Sequence, residues 1–218
     1  MKKAIIIGAS GLVGSHLVDL LLADTRYEKI VSLVRKKSTK SHSKLEEYCC
    51  DFSNLPTSEK YFEHMQELFI CIGTTQQETP DKQQYFAIDY GIPTESASIA
   101  LRMGIQTIVV ISAMGADTNS RIFYNATKGK MEEYLQHLKI PRLIIVRPSL
   151  IAGVRPEKRL GEQIAKALFK ALNLLIPKKY RAIEAKDIAL AMLLLAHDTS
   201  NQTTWENDEL LLISQRTS

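Results

Sequence analysis

Three glycines at three-residue spacing follow the apolar run Ala4 to Ile7, in the order Gly8-Ala9-Ser10-Gly11-Leu12-Val13-Gly14, and an amphipathic segment continues to Leu22. This stretch predicts a buried strand, a tight turn and a helix. Gly8 allows the turn, Gly11 lets a ligand approach the backbone, and Gly14 lets the helix pack closely on the strand. The apolar run breaks at Gly8, so the Met1-Lys2-Lys3 start reads as the beginning of a strand and not as a signal peptide.

The pattern then repeats. Ile- and Val-rich runs recur at Ile30 to Val34, Leu68 to Ile72, Thr107 to Ile111 and Leu143 to Val146, which suits strands buried on both faces. Helical patterns lie at Leu12 to Leu22, Ile92 to Met103, Thr127 to Leu138 and Leu160 to Leu174. Such alternation predicts an α/β chain with a doubly wound, mostly parallel sheet between two layers of helices. Functional loops in such a sheet follow the C-terminal ends of strands. The polar stretches Ser38 to Ser43, Thr75 to Gln84 and Ala116 to Ser120 are the connections, and no repeat or long linker interrupts them.

A glycine-rich turn opening a helix is a phosphate site, because the helix N-terminus offers unpaired N–H groups and a partial positive charge. Gly-x-x-Gly-x-x-Gly after a first strand therefore points to a dinucleotide, with Gly8 making the turn and the pyrophosphate at Gly11 and the start of the helix. The end of the second strand selects between dinucleotides. An acidic residue there would hold a free ribose and a basic one a 2′-phosphate. The sequence reads Val34-Arg35-Lys36-Lys37, so Arg35 and Lys36 favour NADP (NADPH) over NAD. Residues 1–218 are expected to form one NAD(P)-binding unit. Within it, 1–147 would be the nucleotide-binding core and 148–218 a small cap on the substrate side.

Tyr124 is the one tyrosine followed four residues later by a lysine, Lys128, and the pair shares a helix face after the strand that Ser112 ends. Reduction of a carbonyl needs a proton for the oxygen. Tyr124 would donate it, Lys128 would stabilise the tyrosinate and hold the nicotinamide ribose, and Ser112 would hydrogen-bond the substrate oxygen. A helix tyrosine packed against a lysine stem is the plain structural alternative.

With these residues in place the chain resembles the atypical short-chain dehydrogenase/reductases, and among them the Tat-interacting-protein-like oxidoreductases. The likeness covers nearly the whole chain. It rests on Gly8 to Gly14, Cys71-Ile72-Gly73-Thr74-Thr75, Ser112-Ala113-Met114-Gly115-Ala116, Tyr124-Asn125-Ala126-Thr127-Lys128-Gly129 and Arg147-Pro148. The resemblance implies a three-layer Rossmann fold with Ser10, Gly11, Leu12 and Val13 around the pyrophosphate and Arg35 at the adenosine phosphate. It also implies Asp51 and Phe52 at the adenine edge, Gly73 and Thr74 beside the ribose, and Pro148 to Ile151 along the nicotinamide. Without the family, Asp51 could cap the next element and Gly73 could be a simple turn.

Net charge is +4, enough to favour anions but short of a nucleic-acid binder, and the 45% hydrophobic and 24% charged composition calls for no membrane role. Cys49, Cys50 and Cys71 are odd in number and form no disulfide framework, which suggests a reducing, cytoplasmic home. The pair Cys49-Cys50 reads as packing or as a redox pair. His16, His42, His64, His137 and His197 are scattered, so no metal site is expected. Arg155, Lys158 and Arg159 could meet an acidic group on a substrate or partner. Trp205 is expected to pack a last strand, Leu210 to Ile213, onto the sheet. The leading function is an NADP(H)-dependent oxidoreductase of carbonyl reductase type on an unidentified small molecule. Its rivals are an NADPH-binding regulator acting through a protein partner and a nucleotide-sugar epimerase or dehydratase, the latter disfavoured by the short stretch after Pro148.

Overall fold

All five apolar runs lie in one sheet. The structure is a computed structural model, and it describes residues 1–152 and 177–216. Its strands are β1 (Lys2–Ile7), β2 (Tyr27–Val34), β3 (Leu45–Cys49), β4 (Glu67–Ile70), β5 (Thr107–Ile111), β6 (Arg142–Arg147), β7 (Ile151–Ala152), β8 (Ile183–Glu184) and β9 (Thr204–Glu206). Seven of them form the main sheet in the order β3-β2-β1-β4-β5-β6-β9, and β7 pairs with β8. Every pairing is parallel. The helices are α1 (Leu12–Ala23), α2 (Lys82–Phe86), α3 (Ile92–Arg102), α4 (Phe123–His137), α5 (Ala185–Ala196) and α6 (Asn207–Gln215).

Alternation along the strands builds two cores. Ala4 and Ile6 of β1 join Phe69, Val109 and Ile144 under α1, α5 and α6, while Ile5 and Ile7 join Leu68, Val110 and Ile145 under α3 and α4. Burial on both faces explains why these strands carry no polar alternation. The chain leaves β1 toward β2 and β3, then crosses back to β4 on the other side of β1. Loops at the C-terminal ends of β1 and β4 therefore diverge and leave a crevice between them.

The edges depart from expectation. β3 is half-buried, so it lacks the apolar run that marks the inner strands. Leu210 to Ile213 is not a strand but part of α6, because Glu206 and Glu209 form a reciprocal capping box that starts a helix. Leu210 and Ile213 face the core while Leu212 is 49% exposed, a helical pattern. The final strand is instead Thr204–Glu206, which contains Trp205 and pairs with β6. Helix α5 went unread because its apolar residues run nearly all round it and leave little periodicity. The expected helix Leu160 to Leu174 and the cations Arg155, Lys158 and Arg159 lie outside the described residues.

A polar knot closes the N-terminal end of the sheet. Tyr27 and Lys2 both donate to the buried Glu67 carboxylate, and both also meet His197, at 3.0 Å from its Nε2 and 3.1 Å from its Nδ1 respectively. The Lys2 ammonium has only donors, so Nδ1 must accept and the proton sits on Nε2. Among the described residues no helix is long and apolar enough to cross a membrane.

Candidate active site

The turn after β1 needs its glycines. Gly8 has φ +88°, and a Cβ there would lie 2.6 Å from the Cys71 carbonyl. At Gly14 a Cβ would sit 2.1 Å from Gly8 O, so α1 packs directly on the turn. Gly11 is the N-cap of α1, and no side chain caps that end. The first-turn N–H groups are thus left for an external acceptor, which fits a phosphate. Arg35 and Lys36 stand exposed at the end of β2, beside β1, and no carboxylate pairs with either among the described residues. The turn and the start of α1 fit the pyrophosphate of a dinucleotide.

Asp51 accepts from Ser53 N at 2.9 Å and Ser53 Oγ at 2.7 Å, a local turn that holds its carboxyl below the usual range. Phe52 packs against the second core. Cys50 is buried with Ser58 Oγ 3.0 Å from its sulfur, Cys49 is exposed, and burial pushes the Cys71 thiol up to about 12. Pro148 O accepts from Met114 N at 2.9 Å, and Ile151 begins β7. Among the described residues no three His, Cys, Asp or Glu side chains gather where they could hold a metal.

Helix α4 organises the rest. Tyr124, Lys128 and Glu132 follow one another at four-residue steps along one face. Tyr124 is 39% exposed and lines a cleft of about 310 Å³ with Thr74, Thr79, Lys82, Tyr85 and Phe123. The Tyr85 and Phe123 rings meet edge to face at 5.6 Å, and the Lys82 ammonium lies 5.6 Å over Phe123. Burial raises the Tyr124 phenol, Lys128 opposes that rise and Asp89 adds to it, with a net shift upward. Lys128 is buried, and its ammonium is 2.8 Å from Asp89 Oδ1. Asp89 sits on the π-helical turn Ala87–Gly91 between α2 and α3, and its Oδ2 accepts from Thr74 N at 2.8 Å. Gly73 fits against the same pair, since a Cβ there would come 3.3 Å from Asp89 Oδ1 and 3.8 Å from Lys128 Nζ.

Ser112 takes a different position from the one expected. It is 2% exposed, donates its hydroxyl hydrogen to Glu132, and is not among the residues that line the cleft. Glu132 in turn accepts from Arg147, with Nε 3.0 Å from Oε1, while Arg147 Nη1 reaches Glu206 at 3.1 Å. The strand supplies the reason. Alternation through Val110 carries on to Ser112, whose N–H still pairs with Val146 O, and turns the side chain toward the face covered by α4. Asp89 and Glu132 were missed by sequence reasoning. Glu132 had a signal, the four-residue ladder from Tyr124 through Lys128, whereas Asp89 had none.

The family model described as NAD dependent epimerase/dehydratase family matches residues 4–205. The chain belongs to this family. Within it, the chain is 30% identical over 207 residues to "Protein FMP52, mitochondrial" of Debaryomyces hansenii, covering 92% of this chain and 90% of the relative. "Protein HTATIP2" of Rattus norvegicus is 29% identical over 174 residues, covering 78% and 72%. The likeness to Tat-interacting-protein-like atypical reductases therefore holds across most of the chain. Among solved structures, gox2253 covers 99% of this chain and 74% of its own at TM-score 0.71 and 19% identity. "MoeE5 in complex with UDP-glucose and NAD" covers 99% and 82% at TM-score 0.67 and 15% identity. At those identities the two share the Rossmann-like fold of this family member. The expectation of a cytoplasmic home is corrected by the relatives, several of which carry "mitochondrial" in their names. Unpaired cysteines argue against an oxidising compartment, which does not single out the cytosol.

Proposed function

We propose that this family member is an NADP(H)-dependent oxidoreductase of the carbonyl reductase type, acting on a small molecule with Tyr124 as proton donor. The observation that carries it is the position of the Tyr124 phenol, on the wall of a cleft and one helical turn from the buried Lys128. The backbone from Gly8 to Val13 would hold the pyrophosphate, and Arg35 with Lys36 the adenosine 2′-phosphate. Asp51 and Phe52 would border the adenine, Gly73, Thr74 and Lys128 the ribose, and Pro148 and Ile151 the nicotinamide. A bound reduced dinucleotide supplies hydrogen with its electron pair to the carbonyl carbon. Tyr124 gives its phenolic proton to the carbonyl oxygen, completing the alcohol, and regains a proton from water.

Ser112 enters this scheme as a support. Its hydroxyl joins β5 to Glu132 and so fixes the helix that carries Tyr124 and Lys128. The aromatic walls of the cleft suit flat, apolar carbonyl compounds, so aldehydes, ketones and quinones are the compounds to screen by NADPH oxidation. On the best of them, Tyr124→Phe is expected to lose about 100-fold in turnover while NADPH binding stays nearly unchanged. Equal turnover by wild type and Tyr124→Phe would refute the assignment.

A further inference from the structure

A lysine one turn from a tyrosine ordinarily favours the tyrosinate, because an unpaired cation stabilises the anion. Here the cation has a partner of its own. The Lys128 ammonium is 2.8 Å from Asp89 Oδ1, both side chains are almost wholly buried, and Asp89 is held in place by the Thr74 N–H at 2.8 Å. We propose that Asp89 is a positioning residue that offsets part of the charge of Lys128 and so, together with burial, leaves the Tyr124 phenol harder to ionise than Lys128 alone would make it. This rests on the reading of Tyr124 as the group that handles the substrate's proton.

The surroundings support it from each side. Tyr124 shares α4 with Lys128, whose partner is Asp89, and lines the cleft together with Tyr85 and Lys82. Tyr85 is itself pushed up by burial and by Asp89, so it supplies no compensating anion near neutrality. Lys82 is exposed to solvent, where its effect on the phenol is screened. The balance of charge near the phenol is therefore set mainly by the ion pair. π-helical turns widen a helix by one residue and recur at functional sites, and this one carries Asp89 into the space below Gly73.

The chemistry follows with balance. In reduction the Tyr124 O–H bond breaks, its proton forms the O–H bond of the alcohol, and water reprotonates the tyrosinate. Alcohol oxidation needs the tyrosinate first, to accept the alcohol's proton as hydride leaves for the oxidised dinucleotide.

The test reads the phenol directly, without cofactor or substrate. The full chain is labelled with ¹³Cζ-tyrosine, the Tyr124 signal is assigned by its loss in Tyr124→Phe, and its titration is followed by NMR. Asp89→Asn is expected to raise the ionised fraction of Tyr124 at a given pH on the order of tenfold, and Lys128→Met to lower it similarly. Asp89→Asn/Lys128→Met removes both charges and should titrate within about threefold of wild type. If Asp89→Asn titrates as wild type does, the proposal is overturned. Should Asp89→Asn fail to fold, the double variant decides: equality with Lys128→Met overturns the proposal, and a higher ionised fraction supports it. In turnover, the pH at which alcohol oxidation rises should move down by about one unit in Asp89→Asn. A labelled tyrosine that responds as expected in a protein that turns over no carbonyl or alcohol would retain the charge role of Asp89 and overturn the proton-donor reading instead.

Discussion

Ser112 gives its hydroxyl hydrogen to Glu132, about two turns along α4 from Tyr124, and the same carboxylate receives the Arg147 guanidinium. Each step of four residues on that helix has its own partner. Tyr124 meets the cleft, Lys128 meets Asp89, and Glu132 ties the helix to β5 and β6. The hydrogen bond from Ser112 therefore belongs to the frame and not to the cleft.

Ser112→Ala is expected to reduce stability by about 1–2 kcal/mol, since a buried hydrogen bond to a charged group is lost while Arg147 still satisfies Glu132. Turnover by the folded protein should stay within about threefold of wild type. Urea unfolding together with kcat checks both, and a hundredfold fall in kcat would place the hydroxyl on the substrate after all.

Two glycines should respond in opposite ways. Gly14→Ala forces a Cβ to 2.1 Å from Gly8 O and is expected to cost about 3 kcal/mol or more and to disturb dinucleotide binding. Gly91 lies in helical backbone with open space around its Cβ position, so Gly91→Ala should stabilise by about 0.5–1 kcal/mol. Thermal unfolding of the two variants against wild type separates a crowded turn from a merely flexible one.

On the proposed reading Arg35→Ala should weaken NADPH about tenfold or more and leave NADH unchanged, because the guanidinium would meet only the 2′-phosphate. Calorimetry with both dinucleotides measures this. Equal affinity of the wild type for the two would remove the basis for preferring NADP.

Acid should loosen the far end of the sheet. Burial and the neighbouring Lys2 depress the His197 imidazole below its ordinary value, although Glu67 pulls the other way. The unfolded chain then binds a proton that the folded chain refuses between the folded value and about 6.5. The stability due to neutral His197 is complete above that window and declines as pH falls through it, with a slope of at most about 1.4 kcal/mol per pH unit. Replacing the ring by His197→Gln should flatten that part of the stability profile. An unchanged slope would show that another group governs it.

Legibility in the sequence followed burial. β1, β2, β4, β5 and β6 are shielded on both faces, so apolar composition alone announced them, and the glycine turn announced α1. β3 and β9 lie at the sheet's edges and carry mixed composition, and neither could be located that way. Tyr124 and Lys128 were visible because one helix carries both. Asp89 comes to Lys128 from another element, 39 residues earlier in the chain, and no local spacing announces such a meeting. Ser112 was correctly placed at the end of a strand, but its orientation depended on the parity of β5, which shows only once the register with β6 is known.

The sheet closes out of order. Six of its strands have emerged by Arg147, yet the outer edge of β6 is covered only when Thr204–Glu206 arrives, with Ile145 N bonding Thr203 O at 2.8 Å. During synthesis that edge waits as a row of unpaired amides, open to any passing strand. The strand Thr204–Glu206 is thus a seal against misassembly, and a polypeptide cut short before residue 204 would carry a nearly complete nucleotide fold with an adhesive margin.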